Sequence, residues 1–438
     1  MKYDVLVIGG GPAGMAAAAT AAEQGKSTLL LEREKRTGGI LKQCVHDGFG
    51  VMRYNERLTG PEYAYEEERE LLSTDAKVVT EAFVVKLSVL GEKDAGEGFE
   101  TEYVTPEGAH TVRSERIVLA TGCRERTAKQ IFIGGQSSAG ILTAGTAQHY
   151  INIMGLLPAR KCVILGSGDI GLIMARRLTL EGIEVEGVYE IKSEPGGLTR
   201  NIVQCLDDYN IPLYLNHTVT RVFGSDRVTG VEVARVDEKG NAIDTTRRKV
   251  DCDALILSVG LIPENEIAAK LGVPLDPATG GPVVDQTLMT KVRGVYSCGN
   301  CLHVNDLADY VSESGTIAGG YASVGMYPLR RVKVTAAEDM AYVIPQYVNM
   351  DAPRRVIFYF RVKREIKNAG VTLFADGKKL AFKYFGTLRP PEMARWETDV
   401  KGDFTQLSFG ISEESVLMKS EQETEKNTGK VSDDSPEY

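Results

Sequence analysis

DVLVIGGGPAG, residues 4–14, joins a run of buried-strand character to a glycine-rich turn. An alanine-rich helical stretch, 15–24, follows the turn, and a second strand-like run, 27–32, comes after it. Strand, glycine turn, helix and strand in this order predict a β-α-β unit of the kind that binds dinucleotides. This unit places the chain in the α/β class.

The glycines of the turn have separate tasks. The first makes the tight turn, the second lets a pyrophosphate approach the backbone, and the third lets the helix pack on the strand. The helix N-terminus then presents free N–H groups and the positive end of its dipole to the phosphates. Glu32, at the end of the second strand, is placed to accept hydrogen bonds from an adenosine ribose. The residues that we assign to this site are Gly9, Gly11, Pro12, Ala13, Gly14, Glu32 and Arg33.

The same pattern returns about 157 residues later in the chain. A strand-like run, 162–165, leads into the turn GSGDIG, a helical stretch, 172–181, and a strand that ends at Glu190. Two matches, each between strand and helix and each followed by an acidic residue, make a purely structural glycine turn improbable. The residues that we assign to this second site are Gly166, Gly168, Asp169, Ile170, Gly171 and Glu190.

Two dinucleotide sites on one chain indicate hydride transfer between a nicotinamide and a flavin. We therefore expect FAD and NAD(H) as cofactors. The negative charge of Glu190 would repel a 2′-phosphate, which favours NAD(H) over NADP(H), although Lys192 nearby weakens this preference.

Composition excludes several other classes of protein. Hydrophobic residues make up 43% and charged residues 25% of the chain, which is typical of a soluble globular protein. The formal net charge of -9 argues against a nucleic-acid partner. The chain has no apolar run long enough for an integral membrane segment, and its start leaves no room for a signal peptide, so we expect a cytoplasmic protein. Seven cysteines, spread through the chain, suit reduced thiols.

Several motifs together resemble the two-dinucleotide flavoprotein reductases of the pyridine nucleotide-disulfide oxidoreductase superfamily. These motifs are the two fingerprints, the ATG segment 120–122, LILSVG at 255–260 and GVYSCGN at 294–300. The resemblance covers residues 1–330 and implies FAD at the first fingerprint and the nicotinamide cofactor at the second. It also implies that Asn300 contacts the flavin. In the family this segment ends in Gly-Asp, whereas in this chain it ends in Gly299-Asn300. The further cofactor-binding residues that we assign are Gly38, Gly39, Thr121, Gly122, Gly260, Gly299 and Asn300.

The resemblance implies two Rossmann-like domains, with the NAD domain inserted into a discontinuous FAD domain. We expect the FAD domain at 1–125 and 285–330, and the NAD domain at 126–284. Alternating strand-like segments predict a small β-rich C-terminal domain at 331–418. The polar residues 419–438 cannot bury enough apolar surface to order themselves, which predicts a disordered tail.

Disulfide reductases of this superfamily carry a redox cysteine pair beside the flavin, and this chain lacks it in both usual positions. The runs GGILKQCVHDGFG (38–50), LTGPEYA (58–64) and CGNCLHVNDLADYVSESG (298–315) instead resemble the FAD/NAD-dependent subunit that accompanies anaerobic-type glycerol-3-phosphate dehydrogenase. They also resemble opine oxidase and hydrogen cyanide synthase subunits. This resemblance implies a dehydrogenase partner subunit.

Four side chains near these motifs leave alternatives open. Cys44 and His46 follow the Gly38-Gly39 pair and are either catalytic residues beside the flavin or a buried thiol and a satisfied histidine. Cys298 and Cys301 are either packed beside the flavin, a redox dithiol, or two ligands of a metal site; two thiolates alone are short of a tetrahedral set, so we assign no metal.

Two further functions remain open on the sequence alone. A self-contained NADH oxidase or dithiol reductase would use Cys298 and Cys301. A flavin-binding assembly subunit would have no turnover of its own.

Overall fold

The apolar run before each glycine fingerprint forms a strand with a parallel neighbour on each side. The computed structural model of the protein describes residues 2–91 and 98–412. The strands are β1 Lys2–Ile8, β2 Thr28–Leu31, β3 Asp47–Phe49, β4 Leu58–Thr59, β5 Lys77–Val79, β6 Phe83–Val89, β7 Phe99–Thr105, β8 Gly108–Leu119, β9 Cys123–Glu125, β10 Gly134–Gly135, β11 Ile141–Thr143, β12 Lys161–Leu165, β13 Glu184–Glu190, β14 Leu213–Leu215, β15 His217–Phe223, β16 Gly230–Arg235, β17 Arg248–Val250, β18 Ala254–Leu257, β19 Leu261–Pro263, β20 Val295–Ser297, β21 Arg331–Thr335, β22 Met340–Ile344, β23 Tyr347–Asn349, β24 Arg355–Val362, β25 Ile366–Ala375, β26 Lys378–Leu388, β27 Ala394–Asp399 and β28 Leu407–Ser412.

Helices alternate with the strands in both halves that carry a fingerprint. The helices are α1 Pro12–Glu23, α2 Gly60–Leu72, α3 Ala144–Asn152, α4 Asp169–Leu180, α5 Thr199–Cys205, α6 Glu266–Lys270 and α7 Ala308–Val324, and single 3-10 turns lie at Gly39–Gln43, Asp207–Tyr209, Asp244–Thr246 and Gly299–Cys301. Both fingerprint helices begin inside the glycine turn, a few residues before the helical stretches that the sequence predicts. Pro12 fits the first turn of α1 because its missing N–H would have no helical partner there.

The first sheet is built around β1. Its order is β5-β2-β1-β8-β7-β6, with β20 pairing the other side of β8. The strands β2, β1, β8 and β20 run parallel, and β6, β7 and β8 form the antiparallel meander that the sequence predicts. The carboxyl ends of β1, β8 and β20 therefore meet at one edge of the sheet, where ligands bind in open α/β sheets.

The second sheet is built around β12 and is parallel throughout, in the order β11-β18-β12-β13-β14. Its strands come from residues 141–257, whereas those of the first sheet come from 2–119 and 295–297. An α/β architecture with two Rossmann-like sheets is thus confirmed. The domain boundaries at 125/126 and 284/285 stay predictions.

Close packing of α7 on α1 brings the distant segment 299–300 to the first fingerprint. A Cβ on Gly315 would lie 2.1 Å from the Ala13 carbonyl oxygen, and one on Gly319 would lie 2.2 Å from that of Ala17. Only glycine lets these two helix backbones approach so closely.

The region after residue 330 is β-rich, as the sequence predicts. Its strands form the orders β23-β21-β28-β25-β26 and β22-β24-β27, and their inner faces share an aromatic core that includes Phe358, Phe360, Trp396 and Phe409. The predicted disordered tail, 419–438, lies outside the described residues. Within the described ranges, no helix is both long and apolar enough to cross a bilayer.

Candidate active site

Both fingerprint turns open onto one continuous cavity of about 2140 Å³. The first unit contributes Gly9, Gly11, Pro12 and Ala13 to the cavity wall, and the second contributes the segment Gly168–Ile170. Ligands bound at the two helix N-termini would therefore share one space.

The turn of the first unit requires glycine at two positions and leaves open space at a third. Gly9 has a φ of 107°, and a Cβ there would lie 2.3 Å from the Ala120 carbonyl oxygen. A Cβ on Gly14 would lie 1.8 Å from the Gly9 carbonyl oxygen, so α1 could not pack on β1. At Gly11 the nearest atom to such a Cβ is 4.0 Å away, and this open space is available to a ligand.

Glu32 is fixed at the rim of this turn by backbone donors. Its Oε2 accepts a hydrogen bond from the Gly10 N–H at 2.6 Å, and its Oε1 accepts one from the Glu34 N–H at 2.7 Å. Each carboxylate oxygen keeps a further lone pair, and the residue lines the cavity. Glu32 can therefore receive a ribose hydroxyl without giving up its structural contacts.

Three segments that are distant in sequence enclose the first unit. The Gly38 N–H donates to the Gly10 carbonyl at 2.8 Å, and a Cβ on Gly39 would lie 3.1 Å from Gly11 Cα. Thr121 and Gly122 lie in the cavity wall after β8, as does Gly299 after β20. The Thr121 hydroxyl donates to the Glu264 carbonyl at 2.6 Å, which ties this wall to the segment before α6.

Asn300 offers a donor to the cavity rather than a charge. Its Oδ1 already accepts hydrogen bonds from the Asn305 N–H at 3.0 Å and from Asn305 Nδ2 at 3.3 Å. Its Nδ2 makes only a long contact, 3.7 Å, with Cys123 Sγ. The amide is thus turned so that its NH₂ group is available to a ligand hydroxyl.

The acidic residue of the second unit accepts backbone hydrogen bonds from positions equivalent to those that hold Glu32. Glu190 Oε2 accepts hydrogen bonds from the Ser167 N–H at 2.9 Å and the Ser167 hydroxyl at 2.7 Å, and its Oε1 accepts one from the Lys192 N–H at 3.0 Å. The side chain is buried and lies outside the cavity wall. Asp169 lies in the wall instead and accepts hydrogen bonds from the Leu198 N–H at 2.9 Å and from Asn201 Nδ2 at 2.6 Å.

Most of the residues that the sequence assigns to the sites lie on this cavity. Those in its wall are Gly9, Gly11, Pro12, Ala13, Glu32, Arg33, Gly39, Cys44, His46, Thr121, Gly122, Gly168, Asp169, Ile170, Gly260, Gly299 and Asn300. Those behind it are Gly14, Gly38, Gly166, Gly171 and Glu190. The glycines behind the wall act in turn formation and helix packing, so they support the sites without touching the cavity.

Cys44 and His46 lie in the cavity wall between the two units. Burial raises the pKa of Cys44 to about 12, so this thiol is neutral at physiological pH. Burial also lowers the pKa of His46, and its Nδ1 has no hydrogen-bond partner within the described part of the chain. The pair provides a neutral thiol and a neutral imidazole.

Cys298 and Cys301 lie behind the wall rather than in it. Both thiols are fully buried and unbridged, and both donate to the Leu119 carbonyl, at 3.7 Å and 3.2 Å. Burial holds the pKa of Cys298 well above its usual value. Across residues 2–91 and 98–412, no group of three or more His, Cys, Asp or Glu side chains could hold a metal ion. This placement favours the packing interpretation of the pair.

A polar link between the two units was missed by sequence reasoning. Gln43 Nε2 donates to the Gly145 carbonyl at 2.8 Å and to Gln148 Oε1 at 3.1 Å, and Asn152 Nδ2 donates to the Gln43 carbonyl at 2.8 Å. These bonds join the 3-10 turn of the first unit to α3. They depend on tertiary contacts across more than 100 residues, and no local pattern marks them.

Comparison with known proteins decides the family. The sequence model described as "Pyridine nucleotide-disulphide oxidoreductase" matches residues 3–319. The chain belongs to this family. Pyridine nucleotide-disulphide oxidoreductases of this type are FAD- and NAD(P)-dependent enzymes, which confirms the sequence-based expectation of an FAD/NAD(P)-dependent oxidoreductase.

Two curated relatives of the chain are named as enzyme subunits. An opine oxidase subunit of Agrobacterium tumefaciens (strain Ach5) is 26% identical over 314 residues, which cover 68% of this chain and 61% of that protein. Hydrogen cyanide synthase subunit HcnB of Pseudomonas aeruginosa is 27% identical over 296 residues, which cover 62% and 60%. The chain thus spans about three fifths of the length of these relatives.

A solved structure in the family shares the fold. The thioredoxin reductase of T. acidophilum has a TM-score of 0.60 and 24% identity, and the match covers 74% of this chain and 98% of that one. The uncovered part of this chain is about a quarter of its length.

The first unit fits FAD, the cofactor of the family. Its turn leaves open space at Gly11, its helix N-terminus faces the cavity, and Glu32 and Asn300 present an acceptor and a donor there. FAD would be held by these residues together with Gly39, Thr121 and Gly122.

Proposed function

We propose that the protein exchanges electrons between NAD(H) and its own FAD. The observation that carries this proposal is the single cavity whose wall contains both fingerprint turns. FAD, when bound, can take up two electrons as a hydride equivalent and release them again. The chain's own task is to orient the two dinucleotides, since hydride transfer depends chiefly on geometry.

Each part of this task has residues assigned to it. The turn at Gly11 and the N-terminus of α1 would bind one pyrophosphate, and the turn at Gly168 and the N-terminus of α4 would bind the other. His46 lies in the cavity wall and would contact a reactant in its neutral form, while its Nδ1 is buried and has no hydrogen-bond partner among the described residues. Cys44 would pack there as a neutral thiol.

We further propose NAD(H) as the preferred nicotinamide nucleotide. The negative charge of Glu190 disfavours a 2′-phosphate. Its position behind the cavity wall and the neighbouring Lys192 make this charge less effective than that of a residue in the wall. Arg176 and Arg200 also lie in the wall near the same unit, and their positive charge would act against the preference for NAD(H) over NADP(H).

The test uses the isolated chain, purified with FAD. Anaerobic addition of NADH should bleach the flavin band, while an equal amount of NADPH should have little effect. A yellow protein that neither nucleotide reduces would favour the flavin-binding assembly subunit instead. Equal bleaching by both nucleotides would contradict only the preference for NAD(H).

We also propose that the chain serves a dehydrogenase partner in a glycerol-3-phosphate dehydrogenase-like complex. The support is the sequence resemblance of residues 38–64 and 298–315, together with the subunit names of the two relatives. The buried thiols Cys298 and Cys301 give the isolated chain no exposed dithiol with which to pass electrons on. A partner subunit would supply the route by which electrons are passed on.

Glycerol 3-phosphate distinguishes the isolated chain from the complex. The isolated chain should show no flavin bleaching with this substrate, and the chain reconstituted with its dehydrogenase partner should. Bleaching of the isolated chain would contradict the two-subunit scheme. Rapid turnover of the isolated chain with NADH and a disulfide would favour the dithiol reductase.

A further inference from the structure

The loop after Glu190 carries a second glycine pair, Gly196-Gly197. It stands at the same spacing from Glu190 as the pair Gly38-Gly39 stands from Glu32. Each pair is followed by a helical turn, Gly39–Gln43 in the first unit and α5 in the second. The repeat therefore extends beyond the fingerprint into the loop that faces it.

The first pair lies directly against the phosphate turn of its own unit. Gly38 is bonded to the Gly10 carbonyl, and Gly39 approaches Gly11 so closely that a Cβ would lie 3.1 Å from its Cα. Gly39 also has a φ of 53°. Both conformation and packing thus explain a glycine at this position.

The second pair also lies against the turn of its own unit, but its first member, Gly196, makes the approach to the second fingerprint glycine. The Gly196 N–H donates to the Ser167 hydroxyl at 2.8 Å, and the next residue but one, Leu198, is bonded to Asp169. A Cβ on Gly196 would lie 3.5 Å from the Gly168 nitrogen and 3.7 Å from Gly168 Cα. The loop therefore forms a wall opposite the second fingerprint glycine.

Packing explains the glycine at only one of the two positions of this pair. A Cβ on Gly197 would lie 2.6 Å from Leu172 Cδ1 and 3.0 Å from the Ser167 carbonyl oxygen, so packing alone requires glycine there. At Gly196 a Cβ would make only ordinary van der Waals contacts, and φ lies outside the left-handed region. Neither the fold nor the backbone requires a glycine at Gly196.

We propose that Gly196 is a binding residue for the pyrophosphate of the nicotinamide dinucleotide. A phosphate oxygen that accepts a hydrogen bond from the Gly168 N–H needs to lie about 2.9 Å from that nitrogen. A methyl group 3.5 Å from the same nitrogen would compete for this space. The inference rests on the proposed function, because it assumes that the second unit binds a nicotinamide dinucleotide.

Gly196→Ala tests the proposal, because the ligand-free fold tolerates the methyl group. The measurement is equilibrium binding of NADH and of ADP-ribose, which carries the pyrophosphate without the nicotinamide. We expect the Kd of both ligands to rise tenfold or more, with FAD content and melting temperature unchanged. Gly386→Ala is the matched control, since a Cβ there meets nothing within 4 Å and φ is ordinary; both Kd values should stay at wild type.

Each other result contradicts the proposal in a recognisable way. Wild-type affinity of Gly196→Ala for both ligands would show that Gly196 does not border the phosphates. Loss of FAD or a lower melting temperature would show that the fold does require this glycine. If the wild-type protein itself binds neither NADH nor ADP-ribose, the proposed function fails as well, and the inference fails with it.

Discussion

The two β-α-β units share a fingerprint but differ in how they are enclosed. Segments 38–39, 121–122 and 299–300, all distant from one another in sequence, close around the first unit. The second unit is faced by its own following loop and by segment 258–260, and its acidic residue lies behind the cavity wall. Under the proposed function, the first unit would hold a resident dinucleotide and the second unit an exchangeable one.

Substitution of the third fingerprint glycine should break each unit separately and with the largest effect. A Cβ on Gly14 would lie 1.8 Å from the Gly9 carbonyl oxygen, and one on Gly171 would lie 2.4 Å from that of Gly166. Overpacking of this kind costs about 1–3 kcal/mol or more. We expect Gly14→Ala to lose most of its FAD, measured by absorbance, and Gly171→Ala to keep FAD while losing NADH binding. Equal loss of FAD in both variants would contradict the separate roles.

Substitution of the two acidic residues should have smaller effects on nucleotide binding than substitution of the glycines, and the two effects should differ. Glu32→Gln replaces a carboxylate oxygen that accepts a backbone N–H, at a cost of about 1–3 kcal/mol. We expect a roughly tenfold or larger rise in the Kd for FAD, by fluorescence titration. Glu190→Gln should leave FAD affinity unchanged and narrow the preference for NADH over NADPH. A change of FAD affinity in Glu190→Gln would contradict the assignment.

The enclosure of the first unit also depends on a buried ionic network. Arg53, in the loop after β3, pairs with Glu67 at 2.8 Å, and its backbone N–H donates to Asp309 of α7 at 2.9 Å. Burial raises the pKa of Glu67 from 4.5 to about 7, despite the opposing effect of Arg53. The folded protein therefore holds this proton more tightly, so the stability that Glu67 contributes falls as pH rises from about 4.5 to 7.

Glu67→Gln tests this network, because the amide has no proton to lose. Its melting temperature should change less than that of the wild type between pH 4.5 and 7. Glu66→Gln, on the same helix and more exposed, serves as the control and should follow the wild type. Parallel curves for Glu67→Gln and the wild type would contradict the raised pKa.

Removal of the buried thiols should have the smallest effect on electron transfer. The double variant Cys298→Ala/Cys301→Ala loses two packed side chains behind the wall, so some stability should be lost. Its flavin should still be reduced by NADH at the wild-type rate in anaerobic stopped-flow experiments. Uptake of two extra electrons by the wild type alone would reveal a redox dithiol and contradict this expectation.

Local patterns predicted the parts of the molecule that depend on local physics. Both fingerprints, the strands around them and the antiparallel meander follow from apolar runs and glycine spacing. The position of Glu190 behind the cavity wall could not be predicted, because it accepts the same kind of backbone hydrogen bonds as Glu32, which lies in the wall. The spacing of Gly196-Gly197 from Glu190 is a signal that the sequence does carry, because it repeats the spacing of Gly38-Gly39 from Glu32.

Most of the structure that the sequence does not predict depends on polar contacts between residues that are far apart in the chain. The β-rich C-terminal region meets the cavity segment 304–309 and α7 through Arg361, which pairs with Asp306, and Arg395, which pairs with Glu313 at 2.6 Å. Pro391 of the same region lies in the cavity wall. Nothing in the sequence around these residues indicates their partners, since the contacts join segments that are far apart in the chain.

One measurement tests the contrast between resident and exchangeable dinucleotides most directly. The purified protein is desalted, its bound nucleotides are identified by mass spectrometry, and NADH is then added anaerobically while the flavin band is followed. We expect FAD to be retained at about one per chain, no nicotinamide nucleotide to be retained, and the flavin band to be bleached by one equivalent of NADH. Loss of FAD on desalting, or retained FAD that NADH cannot reduce, would contradict this contrast.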